Sequence, residues 1–439
     1  MAVKTHDTTS EVTQLRRELG RWDLTAIGIN QVIGGAIFAM PAALAGSVGG
    51  WSPYLIAGVG AASLLIAATF AEVSSRFDAT GGPYLCTRAA FGRFAAFEVG
   101  WMQWFTRVAS WASVINVLVA SLGFYWPSMT TGAARTAFLT AIIATLAFIN
   151  VIGIRQSAWV VNGLTIGKLV PLALFIVAGL PAIDSTLLRA GPFPPAPELS
   201  KSALLLIFAF GGYEVIPVPA GESKDPARAI PFALIMTIVV VTIVLTLAQI
   251  VSLGTLPNLP ASKTPLADVS VLTMGAVGAA VITLGAVFST VGNNMGQALS
   301  GSRNLFALGE QGDVPRAFAR VSARFGTPVV AILFTAAVSL VLATTGSFAT
   351  MALASAVSRL VVYVATCAAA LRLRSPRFAG AVAEPSMRVP LGPVIPIAAI
   401  LIALTILFGA KPEQLRAGAI ALVAGAILFA ISAIGRRKS

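Results

Sequence analysis

The sequence predicts an all-α polytopic membrane protein with twelve transmembrane helices, and three observations carry that prediction. The 439 residues are 57% hydrophobic and only 11% charged, with a mean hydropathy of +0.86, which leaves too little polar surface for a soluble domain. Apolar runs of about 20 residues recur along the chain, each long enough to cross the roughly 30 Å hydrocarbon layer as a helix. A porin-type barrel would instead show short alternating segments. Lys and Arg collect in every second loop between the runs, the signature of a multi-pass protein oriented by its loop charges.

In order, residues 1–21 form a polar tail with no apolar region ahead of a cleavage site, so no removable signal peptide is expected. The first span covers about 22–45 and is broken near 33–36; the second covers 53–74. A polar loop, 75–83, leads through a partly apolar segment to spans at 95–122, 134–153 and 158–180. The link 181–200, with Pro192, Pro194, Pro195 and Pro197, reads as a joint between halves. The sixth span, 201–220, is broken near 211–217, and the seventh is 230–254. The eighth covers 270–292 and continues as a helix toward Phe306. Spans at 327–346, 348–371, 391–409 and 415–435 complete the twelve. Spans nine and ten are separated only around Thr345-Gly346-Ser347, the easiest place for two to merge.

The chain thus divides into a tail (1–21), a first five-helix repeat (22–180), the link (181–200), a second five-helix repeat (201–371) and two peripheral helices with a tail (372–439). With the N-terminus cytoplasmic, 21 of the 30 Lys and Arg fall in cytoplasmic loops and 6 in the opposite ones, which places both termini in the cytoplasm. Helix one then crosses outward and helix six inward, the arrangement of an inverted repeat. The formal charge of +13 follows from this bias and needs no nucleic-acid partner. Cys86 and Cys367 do not make a disulfide framework. The chain has no phosphate-binding loop and no Cys–His metal cluster, and its lone His6 lies in the tail. No enzyme activity, metal or other cofactor is expected, nor an obligatory protein partner beyond membrane lipids.

Two stretches stand out. Gly28 to Pro41 lies inside an apolar span yet carries Gly34, Gly35 and Pro41, and Phe208 to Glu214 carries Gly211 and Gly212, with Pro217, Pro219 and Gly221 beyond. Glycine and proline weaken a helix. A gap in lipid is tolerable only where it faces a cavity whose occupant takes the freed backbone bonds. Paired interruptions in two halves of a chain point to a transporter's central site. Glycine and proline also serve as packing and kink residues in membrane helices, which is the competing reading of either cluster alone.

Intramembrane ionisable residues are the second signal. Lys168, early in the fifth span, must face protein or water, snorkel to the interface, or lose its proton. Glu214 suits proton handling, structural pairing or contact with a cationic substrate. Arg107 is a candidate for charge selectivity toward an acidic side chain, or a structural partner of Glu98, Glu72 or Glu214; Arg359 is the remaining base. Among the tryptophans of the third span, Trp104 is the candidate to line the extracellular side of the cavity.

Four motifs in order, Ile33-Gly34-Gly35-Ala36-Ile37-Phe38, Phe208-Ala209-Phe210-Gly211-Gly212-Tyr213-Glu214, Glu222 to Pro231, and Ser302 to Pro315 with Gly326-Thr327-Pro328, resemble the amino acid–polyamine–organocation superfamily and its prokaryotic amino acid permeases. The resemblance implies a leucine-transporter-type fold of five helices plus five inverted helices, with two more at the end, in the prokaryotic inner membrane. It implies a secondary active amino-acid transporter working by alternating access, with a polyamine or organic-amine permease or exchanger as alternative and a membrane solute sensor as a further one. The family's substrate binds unwound backbone, which points to Ile33, Gly34, Gly35 and Ala36 in helix one and Phe208, Gly211 and Gly212 in helix six. Phe208 or Phe210 corresponds to the aromatic gate. Lys168 matches a lysine that replaces a sodium ion in proton-coupled relatives. It would brace the first break against Ser289, Thr290 and Asn293 of helix eight, with a proton as coupling ion. The substrate expected is a small amino acid or related amine.

Overall fold

Gly34, Gly35 and Pro41 split the first span in the computed structural model, which describes residues 15–122, 128, 131–345, 348–409 and 412–437. Helix α1 (Arg21–Val32) stops, a short 3-10 turn (Gly35–Phe38) follows, and α2 (Met40–Val48) resumes with Pro41 in its first turn. There the missing amide hydrogen deprives the helix of nothing. Helix α3 (Ser52–Ser74) returns through the bundle, and the partly apolar segment after it is a separate helix, α4 (Pro83–Phe91). Then come α5 (Arg93–Leu122), α6 (Gly132–Ile152) and α7 (Ile154–Gly179), the last with Pro171 inside it.

The sixth span departs from expectation. Helix α8 (Ala196–Phe210) starts within the predicted link, and beyond the break no second α-helical half forms. Residues 211–225 run through turns and two 3-10 pieces, Tyr213–Val215 and Ala220–Glu222. Gly212 at φ 132° starts this stretch, and Pro217 and Pro219 lack the amide hydrogens a continuing helix would need.

Helix α9 (Pro226–Thr255) is followed by α10 (Pro265–Glu310), 46 residues with a bend at Gly275 (φ 68°). At about 1.5 Å per residue it is roughly 70 Å long, more than twice the hydrocarbon thickness. Its residues from Ser289 to Gly309 are almost all buried, so this half threads the core. Helices α11 (Val329–Thr345), α12 (Phe348–Leu373), α13 (Val394–Phe408) and α14 (Pro412–Arg437) follow. The join at Gly346 and Ser347, between α11 and α12, lies outside the described residues.

Helix α3 packs along α9, α10 along α7 and α5, and α12 against α5 and α13. Among the described residues, six helical stretches are long and apolar enough to cross a membrane: Met40–Ser74, Gly132–Ile152, Ile154–Ala182, Pro226–Thr255, Pro265–Glu310 and Leu415–Ser432. Val329–Thr345 and Val394–Phe408 are shorter apolar helices. Large apolar side chains such as Trp159, Val277, Phe408 and Ile420 are exposed, as a lipid-facing surface demands. Among the described residues there is no strand, only the isolated bridges Leu19↔Ser223 and Ala379↔Val382. The molecule is an all-α multi-pass membrane protein. Helices α5 and α12 turn Arg107 and Arg359 toward the interior.

The first of those bridges fastens the N-terminal segment. Glu18 and Leu19 donate their amide hydrogens to the Glu222 carbonyl at 2.9 Å each, and Lys224 donates back to Leu19. Cys86 and Cys367 are buried and free. Burial pushes the Cys86 thiol up to about 12, so it is inert at neutral pH.

Candidate functional site

Where α1 ends, its last carbonyls have no helical partner, and two neighbouring helices supply donors. From α7, Lys168 Nζ donates to the Ile33 carbonyl at 2.7 Å and reaches those of Asn30 and Ser289 at 3.4 Å. From α10, Ser289 Oγ donates to the carbonyls of Ile33 (2.9 Å) and Gly34 (3.1 Å). Asn293 Nδ2 donates to those of Asn30 and Gln31, and Gln31 Nε2 returns a bond to the Asn293 carbonyl at 2.9 Å. Lys168 is fully buried. The break is therefore a polar joint between α1, α7 and α10. Gly292 and Gly296 let α10 come this close, because a Cβ at either would overlap the side chain of Asn30 or Gln31.

Beyond the capped carbonyls the backbone opens. Gly35 is exposed, and a Cβ there would meet nothing within 4 Å. Ala36 lies in the same 3-10 turn, but its side chain is outside the described residues, as is that of Phe208 in α8.

The second break lies against the first. A Cβ on Gly212 would come within 2.6 Å of the Gln31 carbonyl oxygen, and one on Gly211 would overlap the Arg359 guanidinium. Two residues on, Glu214 is fully enclosed and ties α5 and α12 to the turn it sits in. Arg107 Nη2 of α5 donates to Oε1 at 2.7 Å, and Arg359 Nε of α12 is 2.9 Å from the same oxygen. Tyr363 Oη (2.8 Å) and the Gly212 amide (2.8 Å) donate to Oε2. Of the about four acceptor positions of the carboxylate, three take hydrogen bonds, and the Arg359 guanidinium pairs with it besides. With two guanidinium groups against it, the Glu214 carboxylate is held as an ion pair, the pairing role among the three weighed. Arg107 also approaches Gln31 Oε1 at 3.5 Å, and so reaches both breaks. Tyr213 stacks on Tyr363 with ring centroids 5.5 Å apart, and Phe210 is buried.

Two candidates lie elsewhere. Trp104 donates from Nε1 to Thr335 Oγ1 of α11 at 3.2 Å and packs with Leu305, Phe306 and Ala331, on the side of Leu15 and Phe318. That is the side of the N-terminal segment. A tryptophan one turn from Arg107 faces α11 because its indole nitrogen finds a hydroxyl there. Thr290 turns its hydroxyl onto its own helix, to the Ala286 carbonyl at 2.9 Å, and gives Lys168 no oxygen. Asn293 contributes through its amide rather than its oxygen, since the groups it meets are carbonyls.

Sequence reasoning passed over Asn30, Gln31 and Tyr363. The signal was present: two polar residues within one turn ahead of a glycine pair, and a tyrosine four positions after an intramembrane arginine, on the same helix face.

On the side of the N-terminal segment, two ion-pair clusters close the bundle. Arg303 of α10 makes a two-pronged pair with Glu222, 2.9 Å at each prong, both side chains fully buried. Asp313 accepts from Arg93 Nε (2.7 Å), Arg88 Nη1 (3.2 Å) and Tyr84 Oη (2.6 Å), holding α4 and α5 to the loop after α10.

Comparison with known proteins agrees with this architecture. Over 376 residues the chain is 32% identical to an uncharacterized transporter of Mycobacterium tuberculosis (strain ATCC 25618 / H37Rv), covering 82% of this chain and 81% of that protein. It is 28% identical to the serine/threonine exchanger SteT of Bacillus subtilis (76% and 78% covered) and 27% to the branched-chain amino acid permease BcaP of the same organism (74% of each). The amino acid permease family model matches residues 19–431, nearly the whole chain with both breaks and the capping helices inside it, so the chain belongs to the amino acid permease family, a family of transporters and not of enzymes.

Proposed function

We propose that this chain is a secondary active amino-acid transporter of the prokaryotic inner membrane, coupled to protons and working by alternating access. In this reading twelve spans form a leucine-transporter-type fold of two inverted five-helix repeats plus two helices, with both termini in the cytoplasm. The observation that carries the proposal is the capping of α1's broken end by Lys168 and Ser289, beside an open backbone at Gly35.

Amide hydrogens at the start of the resumed half-helix suit a substrate carboxylate, and carbonyls at the end of the first half suit its ammonium group. Ile33, Gly34, Gly35 and Ala36 would supply these groups, faced by Phe208, Gly211 and Gly212. A protonated lysine has three hydrogens, and Lys168 has three carbonyls within reach, those of Ile33, Asn30 and Ser289. Without its proton the amine would turn a lone pair toward carbonyl oxygens. The brace between α1 and α10 would loosen and let one side of the bundle open, which couples protonation to conformation. Arg107 enters this picture through Glu214 and Gln31. An acidic substrate would have to compete with Glu214 for it, so selectivity by Arg107 requires that pair to part.

The names of the relatives suggest serine, threonine and branched-chain amino acids as first substrates. Counterflow in proteoliposomes with a labelled panel, including ornithine and putrescine, tests the class; exclusive transport of putrescine would favour the organic-amine alternative. An acid-outside pH gradient should drive accumulation, and Lys168→Ala should reduce it at least tenfold. Full proton-driven accumulation by Lys168→Ala, or a sodium requirement in the wild type, would overturn the coupling. Binding without flux would favour a sensor.

A further inference from the structure

A polar cavity, lined by none of the residues at the breaks, lies where α3, α12 and the segment leading into α13 come together. Its volume is about 230 Å³, several times the roughly 30 Å³ of a liquid water molecule. Glu72, Arg76, Arg374, Glu384, Arg388 and Gly392 line it. Glu72 is already held by three donors. Arg374 holds it with two prongs, Nε at 2.7 Å and Nη2 at 2.5 Å, and the Val389 amide donates to it at 2.7 Å. Arg374 also donates to the Gly392 carbonyl. Glu384 pairs with Arg388 at 2.6 Å, and both are largely exposed.

Arg76 is left over. A guanidinium has five donor hydrogens, and among the described residues Arg76 makes one hydrogen bond, from Nη1 to the Ala383 carbonyl at 3.1 Å. Three arginines against two carboxylates leave the cavity with a surplus positive charge. Burial holds the Arg76 guanidinium below its ordinary pKa, an effect that Glu384 and Glu72 oppose and Arg388 and Arg374 reinforce. A bound anion would relieve all three unfavourable contributions.

The surroundings narrow the anion. Leu391, the one non-glycine residue with positive φ among the described residues (60°), and Val394 at the start of α13 are exposed apolar side chains beside the cavity. Polar groups bordered by exposed apolar ones suit the boundary between headgroups and hydrocarbon, and basic pockets between helix ends are suited to lipid phosphates. Planar guanidinium groups bind phosphate oxygens in pairs.

We propose that this cavity binds a phosphate group, with Arg76 as its main donor and Arg374 and Arg388 beside it. An anionic phospholipid or free phosphate could supply that chemistry, and one experiment separates them. The full chain, purified in a zwitterionic detergent, is melted with added phosphatidylglycerol, phosphatidylcholine or inorganic phosphate, and retained lipid is counted by native mass spectrometry. Phosphatidylglycerol is expected to raise the Tm by about 2–4 °C and to remain bound as one molecule. A comparable shift with inorganic phosphate alone would assign the site to a soluble anion. Arg76→Gln should abolish the shift, and Arg388→Gln should reduce it should Arg76→Gln fail to fold. Arg377→Gln, exposed on the neighbouring turn and not part of the lining, should keep it. No shift with any probe, equal shifts with phosphatidylcholine and phosphatidylglycerol and none with inorganic phosphate, or an undiminished shift in Arg388→Gln would overturn the proposal.

Discussion

Gly212 concentrates two demands in one residue. Its φ of 132° disfavours any side chain, and a Cβ would lie 2.6 Å from the Gln31 carbonyl oxygen and 2.7 Å from its carbon, both backbone atoms that cannot step aside. Gly212→Ala should therefore force the two breaks apart, at a cost of about 1–3 kcal/mol. Uptake in proteoliposomes should fall at least tenfold with the protein still folded by size-exclusion chromatography. Gly58→Ala in α3, where a Cβ meets nothing within 4 Å, should leave uptake unchanged and be neutral to slightly stabilising, since alanine is the better helix former. Equal losses in both variants would show that the close approach at Gln31 is not what matters.

Among elements, the long core half of α10 does most to organise the molecule. Ser289 and Asn293 meet the first break, and Arg303, further along the same helix, meets Glu222 in the 3-10 turn after the second. Glu222 in turn accepts the amides of Glu18 and Leu19, so one carboxylate-bearing residue links α10, the sixth-span turn and the N-terminal segment. Removing one partner of a fully buried pair strands the other charge, at about 3–5 kcal/mol, whereas replacing both with apolar residues is often near neutral. Arg303→Ala should lower the Tm in detergent sharply. The double change Arg303→Met with Glu222→Leu should recover most of it. A double variant no more stable than Arg303→Ala would contradict this account of the pair.

For the whole molecule, the prediction concerns orientation. Basic residues cluster at the ends of the helices that meet the N-terminal segment, where Arg88, Arg93 and Arg303 are drawn into ion pairs. A fluorescent reporter fused to the C-terminus should fold and fluoresce in the cytoplasm. A phosphatase reporter placed in the 181–200 link should be active only on the opposite side. The reverse pattern would overturn the proposed topology, while leaving the family and the helical architecture untouched.

Composition and periodicity were enough for the helical membrane class, because a chain that spans lipid must satisfy its backbone within helices and mark them with apolar runs. The position of the first break was legible too, since Gly34, Gly35 and Pro41 act on their own backbone. What surrounds each break was not. Whether Thr290 or Ser289 meets the first break depends on the rotation of α10, whether Trp104 faces a cavity or α11 depends on the packing of α5, and the groups around Glu214 come from three separate parts of the chain. Local propensity reaches a few residues along the chain, whereas a buried charge finds its partner through space; a lysine in an apolar run announces that some carbonyls await it, and only the packed bundle selects those of Ile33, Asn30 and Ser289.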